Sequence, residues 1–337
     1  MLRLLGLLIT VLTAIAVAIL TWPQFFRLER TFPIAQIVSL RAVTVVLLAV
    51  LGMLFLLLCL ARPLRAFAGT MAAIAFVGAV AGGGILIARG VGSGGLPETT
   101  EASVRVMTWN TAGGAADAET IARTAVAMQA DIVSLPETTE DVGIAVAVAM
   151  RDLGAPMWVH NENYEGWDAN WTSVLISPDL GDYAVVESTV DGTTNTSEVP
   201  SVVAMPVDGN GPIVVAVHAV APRQAYMADW RSDLQWLADQ CATDSVIMAG
   251  DFNATLDHMA NLGVGGADLG RCHDGAAATG TGGVGTWTTS VPSLLGTPID
   301  HVLSTSGWVA TGSVVLTSLD DSGSDHRPLV VQLEPAA

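Results

Sequence analysis

Lysine is absent from the chain, and arginine occurs only 14 times in 337 residues, against 32 Asp and Glu. Sequence-independent binding of nucleic acid rests on Lys and Arg neutralising phosphates, so this deficit argues against a basic groove for DNA or RNA. The few basic residues are also unevenly placed. Residues 1–89 hold seven Arg and a single acid, Glu29, whereas residues 90–337 hold seven Arg and 31 acids, a formal net charge of −24. Solubility, or a salt-rich or genomic compositional bias, is sufficient to account for that acidity. Cysteine is scarce as well. Cys59 lies in an apolar run, where a thiol is inert. Cys241 and Cys272 both fall in the acidic part, and are either a disulfide made in an oxidising compartment or two separate buried thiols.

Charge is missing altogether from three stretches, residues 4–20, 42–60 and 66–88. A helix needs roughly 20 apolar residues to cross a bilayer core, and all three qualify. The first could be a cleaved signal peptide. However, Thr21-Trp22-Pro23 is a poor small-residue cleavage site, two more spans follow, and Trp22 suits an interfacial anchor. Three retained transmembrane helices are therefore expected, with Gly78, Gly82, Gly83 and Gly84 suited to close helix packing. Three spans place the rest of the chain opposite the N-terminus. Arg3, Arg62 and Arg65 then share one side and Arg27, Arg30, Arg41 and Arg89 the other, offset by Glu29, so the positive-inside rule does not decide. The lack of Lys, the acidity and the cysteine pair favour an integral plasma-membrane protein whose soluble domain is extracytoplasmic.

Residues 90–102 read as a Gly/Pro/polar linker, and 103–337 as one globular domain with a full core. Strands are expected over 104–109, 131–135, 173–176, 184–190, 199–207, 213–217, 245–249, 299–304, 309–317 and 329–333. Helices are expected over 116–129, 141–153 and 225–240, and a long Gly/Thr-rich loop over 273–298 around Trp287. There is no internal repeat. Strands and helices in this mixed order imply a two-sheet sandwich flanked by helices.

Polar residues of one kind recur where these strands end: Asn110, Glu137, His218, Asp251 with Asn253, Asp300 with His301, and Asp325 with His326. Taken singly, each is a turn former or a solvated side chain. Six such placements together suit hydrolysis of a phosphate ester, since sites are built on loops at the ends of buried strands. Glu137, Asn110 and Asp325 supply oxygen ligands for a hard divalent cation. Asp251 can orient and deprotonate water. Asn253 and His218 can donate to the transition state, and Asp300 can hold the imidazole of His326.

Trp109-Asn110, Pro136-Glu137, His218 with Pro222, Gly250-Asp251-Phe252-Asn253, Ile299-Asp300-His301-Val302 and Ser324-Asp325-His326-Arg327-Pro328-Leu329 occur in that order. In these motifs the chain resembles the endonuclease/exonuclease/phosphatase superfamily over residues 103–333. The resemblance implies a four-layer α/β sandwich of the DNase I-like type, preceded here by three transmembrane helices. It also implies Mg²⁺- or Mn²⁺-dependent attack of water on phosphorus. Carried over, Glu137 matches the metal carboxylate and Asn110 its companion, with Asp325 near the metal. Asp251 and Asn253 match the water-orienting and transition-state pair, His218 the phosphate-contacting His, and Asp300 with His326 the Asp–His couple. His301 falls where members vary and reads as structural or as part of the substrate rim. Two departures stand out. Leu135-Pro136 precedes the Glu where many members carry Gln, and Trp171-Thr172-Ser173-Val174-Leu175 lacks the Tyr of abasic-site endonucleases.

The expected substrate is a lipid head group or small phosphate ester, met by a membrane-tethered phosphohydrolase. A tethered nuclease is the alternative, disfavoured by the acidity, and a non-catalytic binding module comes third. No protein partner is inferred. Trp167, Trp171 and Trp287 lie in loops that would border the substrate.

Overall fold

The computed structural model describes residues 2–164, 166, 168–186, 195–243 and 245–336. The chain divides into two compact units, Met1–Ala88 and Arg89–Ala337. The first is helical: α1 (Leu2–Thr21), α2 (Ile34–Ser39), α3 (Arg41–Leu58) and α4 (Arg65–Arg89). The stretches Arg3–Thr21, Arg41–Leu58 and Arg62–Arg89 are long and apolar enough to cross a membrane. Small residues let these helices approach closely. Gly78 lies so near Val17 and Leu48 that a Cβ would collide, and Gly82 is similarly placed against Val45.

The second unit is a sandwich of two six-stranded mixed sheets. Its strands are β1 (Val104–Thr108), β2 (Ile132–Pro136), β3 (Trp158–Asn163), β4 (Trp171–Ile176), β5 (Tyr183–Val185), β6 (Val202–Pro206), β7 (Ile213–His218), β8 (Val246–Asp251), β9 (Cys272–Asp274), β10 (Asp300–Thr305), β11 (Trp308–Val315) and β12 (Leu329–Pro335). One sheet runs β11-β12-β1-β2-β4-β3 and the other β5-β6-β7-β8-β10-β9. The faces turned toward each other carry Val106, Ile132, Val174, Val214, Ile247 and Val302, all buried in one core. A second core lies between the other face of the first sheet and two helices, α5 (Ala118–Ala127) and α6 (Glu140–Asp152), where Met107, Val133 and Leu135 meet Ile121, Val146 and Met150. Alternation along the strands of the first sheet thus feeds two cores at once. Asp117 caps α5 and Thr139 caps α6 through their side-chain oxygens. Helix α7 (Met227–Gln240) buries Trp230, Leu234 and Leu237.

Two strands, β3 and β9, depart from expectation. The strand β3 was not anticipated: it is a half-exposed edge strand whose sequence, Trp-Val-His-Asn-Glu-Asn, lacks a clean apolar alternation. The end of the strand expected over 184–190 lies outside the described residues. The expected loop 273–298 begins in β9 and a one-turn helix, α9 (Gly275–Ala278), which follows another, α8 (Leu256–Met259). Cys241, at the C-cap of α7, is bonded to Cys272, the first residue of β9.

Arg89 and residues 90–102, the latter expected as a linker, belong to the second unit and are partly bonded within it. Arg89 grips Asp257 through two 2.8 Å hydrogen bonds. Gly283 N donates to Gly90 O (2.7 Å), Gly92 N to Gly280 O (3.1 Å) and Gly95 N to Ser313 O (2.8 Å). The last contact adds a short pairing to β11, an otherwise open sheet edge.

Candidate active site

Sheet register explains why residues far apart in sequence meet. Strands β1 and β2 are parallel, so Asn110 and Glu137, just beyond their ends, leave the first sheet at one edge. β12 is antiparallel to β1 with Leu329 opposite Thr108, which brings the preceding Asp325 and His326 to the same edge. In the second sheet, β7 and β8 are parallel with His218 opposite Asp251, and antiparallel β10 places Asp300 opposite Asp251. Ser134 Oγ donates across the sandwich to Ala249 O (2.7 Å), tying β2 to β8 beside this edge. Gly250 is required here, because a Cβ would run into Val217 of β7.

The result is one continuous network. Asn110 Nδ2 donates to Glu137 Oε1 and to Asp251 Oδ2, both at 3.1 Å. Asp251 also accepts from the backbone N of Asn253 (2.8 Å) and from its Nδ2 (3.2 Å), and lies 3.8 Å from His326 Nε2. Asp300 Oδ2 pairs with His326 Nδ1 at 2.9 Å. His218 Nε2 is 3.8 Å from Glu137 Oε1. Asp325 Oδ1 is 4.0 Å from His326 Nε2, and its Oδ2 accepts from Trp287 Nε1 at 2.8 Å. The eight residues given catalytic or metal roles from the sequence therefore gather at this edge. Glu137 (25% exposed side chain) and Asp325 (54%) form its mouth, while Asp251, Asp300 and His326 form a buried floor.

Two amides are engaged by protein groups. Asn110, expected as an oxygen donor to a metal, accepts from Ala112 N through that oxygen (2.9 Å) and bridges two carboxylates with its nitrogen. Asn253, expected to donate to the transition state, is bonded through Nδ2 to Ala219 O (2.9 Å) and Asp251. Glu137 and Asn253 both have left-handed backbone, with φ of 57° and 45°. Asn tolerates this region, but for Glu it costs about 1–3 kcal/mol, the kind of strain found where a side chain must be aimed. His301 is not on the rim. It is buried, with Nδ1 2.6 Å from Asp274 Oδ2 and Nε2 2.9 Å from Ala254 O, so its role is structural.

Sequence reasoning missed the supports. Trp109 Nε1 donates to His326 O (2.9 Å). Ser324 Oγ donates to Asn110 O (2.6 Å) and accepts from His326 N (3.0 Å). Thr286 Oγ1 accepts from Asp300 N (3.1 Å). Arg327, next to His326, is fully buried. It clamps Asp320 with two bonds of 2.7 and 2.8 Å and donates to Gly285, Thr288 and Val291 carbonyls, fixing the loop that carries Trp287. Trp109 and Ser324 stood inside the recognised motifs, but nothing local in the sequence reveals their partners.

Electrostatics follow from burial and crowding. Burial pushes the Glu137 carboxyl above its ordinary pKa. Burial, then the charge of Asp300, raises that of Asp251. Burial, reinforced by His326, pushes His218 down to about 3, leaving it neutral. Burial opposes a charge on His326, but Asp300, Asp251 and Asp325 outweigh it and hold its pKa up to about 10. Four carboxylates thus face one imidazolium, and Arg327 is committed elsewhere. Ligand atoms of Asp251, Asp300 and His326 lie within 4.8 Å of one another, and the buried Asp300 Oδ1 and His218 Nδ1 lack hydrogen-bond partners among the described residues. This surplus of negative oxygen donors fits a divalent cation.

The family model for the endonuclease/exonuclease/phosphatase family matches residues 107–326. The chain belongs to this family. Its members are hydrolases acting on phosphate esters and are typically metal-dependent, which sets aside a non-catalytic module. The structure is similar to that of an endonuclease/exonuclease/phosphatase from Beutenbergia cavernae DSM 12333, with a TM-score of 0.53 and 19% identity over 70% of this chain and 72% of that one. It is also similar to TDP2 of D. rerio humanized by 14 mutations (TM-score 0.52, 14% identity, 69% and 99% covered). A third similar structure is D. rerio TDP2 complexed with single strand DNA product (0.50, 15%, 69% and 99%). No curated protein matches the chain.

Proposed function

We propose that this chain is a membrane-tethered, divalent-metal-dependent phosphohydrolase whose substrate is a lipid head group or another small phosphate ester. The observation that carries this reading is the unbroken network from Glu137 through Asn110 and Asp251 to His326 and Asp300. Glu137 and Asp325, the carboxylates at the mouth, would hold Mg²⁺ or Mn²⁺. When bound, such an ion polarises a phosphoryl oxygen and offsets the charge developing there. Asp251, steadied by Asn110 and Asn253, orients the attacking water and accepts its proton, a task suited to a carboxyl raised toward neutrality by burial. His218, neutral, donates to a phosphoryl oxygen, and His326, kept charged by Asp300, faces developing negative charge. Asn110 and Asn253 act as the props of Asp251.

The small-substrate reading is supported by the −24 charge of residues 90–337 and by the commitment of Arg327 to Asp320. The tether is supported by the three apolar helices. An extracytoplasmic catalytic domain is supported by the Cys241–Cys272 disulfide and the acidic surface; a reporter fused at the C-terminus that works only in the cytoplasm would sink it. A nuclease is the second reading, favoured by the likeness to a TDP2 complexed with single strand DNA product. The deciding experiment incubates the full chain, in detergent and Mg²⁺, with phospholipids, inositol phosphates, bis-p-nitrophenyl phosphate and single-stranded DNA. Turnover of head-group substrates ahead of DNA, abolished by EDTA, is expected. Faster cleavage of DNA selects the nuclease, and turnover that survives EDTA removes the metal.

A further inference from the structure

Asp325 stands apart in the site. Its side chain is 54% exposed, whereas Asp251 and Asp300 are buried and cross-bonded. A carboxylate so open is free to swing into water unless something holds it. Among the described residues, the hydrogen bond its carboxylate accepts comes from the indole of Trp287, Nε1 to Oδ2 at 2.8 Å. That bond occupies one oxygen and leaves Oδ1 on the side of His326 Nε2, at 4.0 Å.

The indole is itself anchored. Trp287 N donates to Thr297 O (3.0 Å), and Trp287 forms isolated bridges with Thr297 and His326. Thr289 N donates to Asp325 O and Arg327 N to Thr286 O, so the segment carrying the Trp is laced to the one carrying the Asp. Arg327 adds bonds to Gly285, Thr288 and Val291. A large ring, 36% exposed, is thus fixed at the mouth with its one polar atom spent on a carboxylate.

We infer that Trp287 is a positioning residue that fixes the Asp325 carboxylate, and so sets the affinity of the site for its divalent cation. This rests on the reading of Asp325 as a cation ligand. Partners that orient a ligating carboxylate typically contribute about 10–100-fold in metal affinity or activity. The ring also walls the mouth, so loss of its N–H separates the two roles while a phenyl ring keeps the wall.

The test is Mn²⁺ binding to the full chain in detergent, followed by the electron paramagnetic resonance of free Mn²⁺. Trp287→Phe is expected to weaken Mn²⁺ binding roughly 10-fold or more. Asp325→Asn is expected to weaken it at least as much, and the double variant no further than Asp325→Asn alone. A parallel thermal melt shows whether each variant is folded. If Trp287→Phe is unfolded, Trp287→Leu, which also removes the ring N–H, replaces it with the same expectation of a coupled rather than additive effect. Wild-type Mn²⁺ affinity in folded Trp287→Phe, beside weakened binding in Asp325→Asn, overturns the positioning role and leaves the hydrolase reading intact. Unchanged affinity in Asp325→Asn removes Asp325 from the cation site.

Discussion

Asp251 is held by three donors from two asparagines and sits 3.8 Å from His326, buried and pushed toward the protonated form. Asp251→Asn keeps the shape but removes the base. Turnover of bis-p-nitrophenyl phosphate should fall about 10²–10⁴-fold, and a variant with full turnover would take Asp251 out of that role. A residue far from the site illustrates linkage. Tyr183 donates to Pro212 O (3.1 Å), and burial, with the Asp208 charge adding, pushes its phenol up to about 12. Its folded pKa thus lies above the unfolded value of about 10. Stability from the neutral phenol is fully present below about pH 10 and is lost as pH rises through about 12. Tyr183→Phe should flatten that alkaline loss in a series of melts; an unchanged slope would show that Tyr183 titrates normally.

At the level of elements, the disulfide joins the end of α7 to β9 across 31 residues of sequence. Closing a loop of that length in the unfolded chain is worth about 3–4 kcal/mol in the chain-entropy account. Replacing both Cys241 and Cys272 with Ser should lower urea-measured stability by that amount, and a loss below about 1 kcal/mol would argue against the bond in the purified protein. Elements were legible to different degrees. β1, β2, β7, β8, β10 and β12 could be read because each is built on a largely apolar run with a site-grade polar residue at or near one end, the pattern of a buried strand that borders a site. β3 could not, because an edge strand tolerates Asn161, Glu162 and Asn163. β9 is three residues long and is defined by its pairing to β10, which no local pattern announces.

For the molecule as a whole, charge decides what can approach. The acidic unit should repel a polyanion most strongly at low salt, where the Debye length is about 30 Å at 0.01 M against about 8 Å at 0.15 M. Any cleavage of single-stranded DNA should therefore accelerate as salt rises over that range, opposite to proteins that grip phosphates with Lys and Arg. Turnover of a small ester should change much less. Cleavage of DNA that declines with salt would reveal a local basic contact and favour the nuclease.

The sequence alone determined composition-level facts: three apolar helices, an acidic second unit without Lys, and site-grade residues at strand ends in the family's order. Those depend on residue type and short-range period, which are properties of the chain itself. Only the tertiary structure decided how the polar atoms are spent. Asn110 bridges two carboxylates, Asn253 steadies Asp251, Arg327 staples a loop, His301 is a buried strut and Trp287 holds Asp325. A hydrogen bond is set by which strands pair and in what register. The register of β12 on β1 joins segments more than 200 residues apart. Local hydrophobic pattern carries no information over that distance.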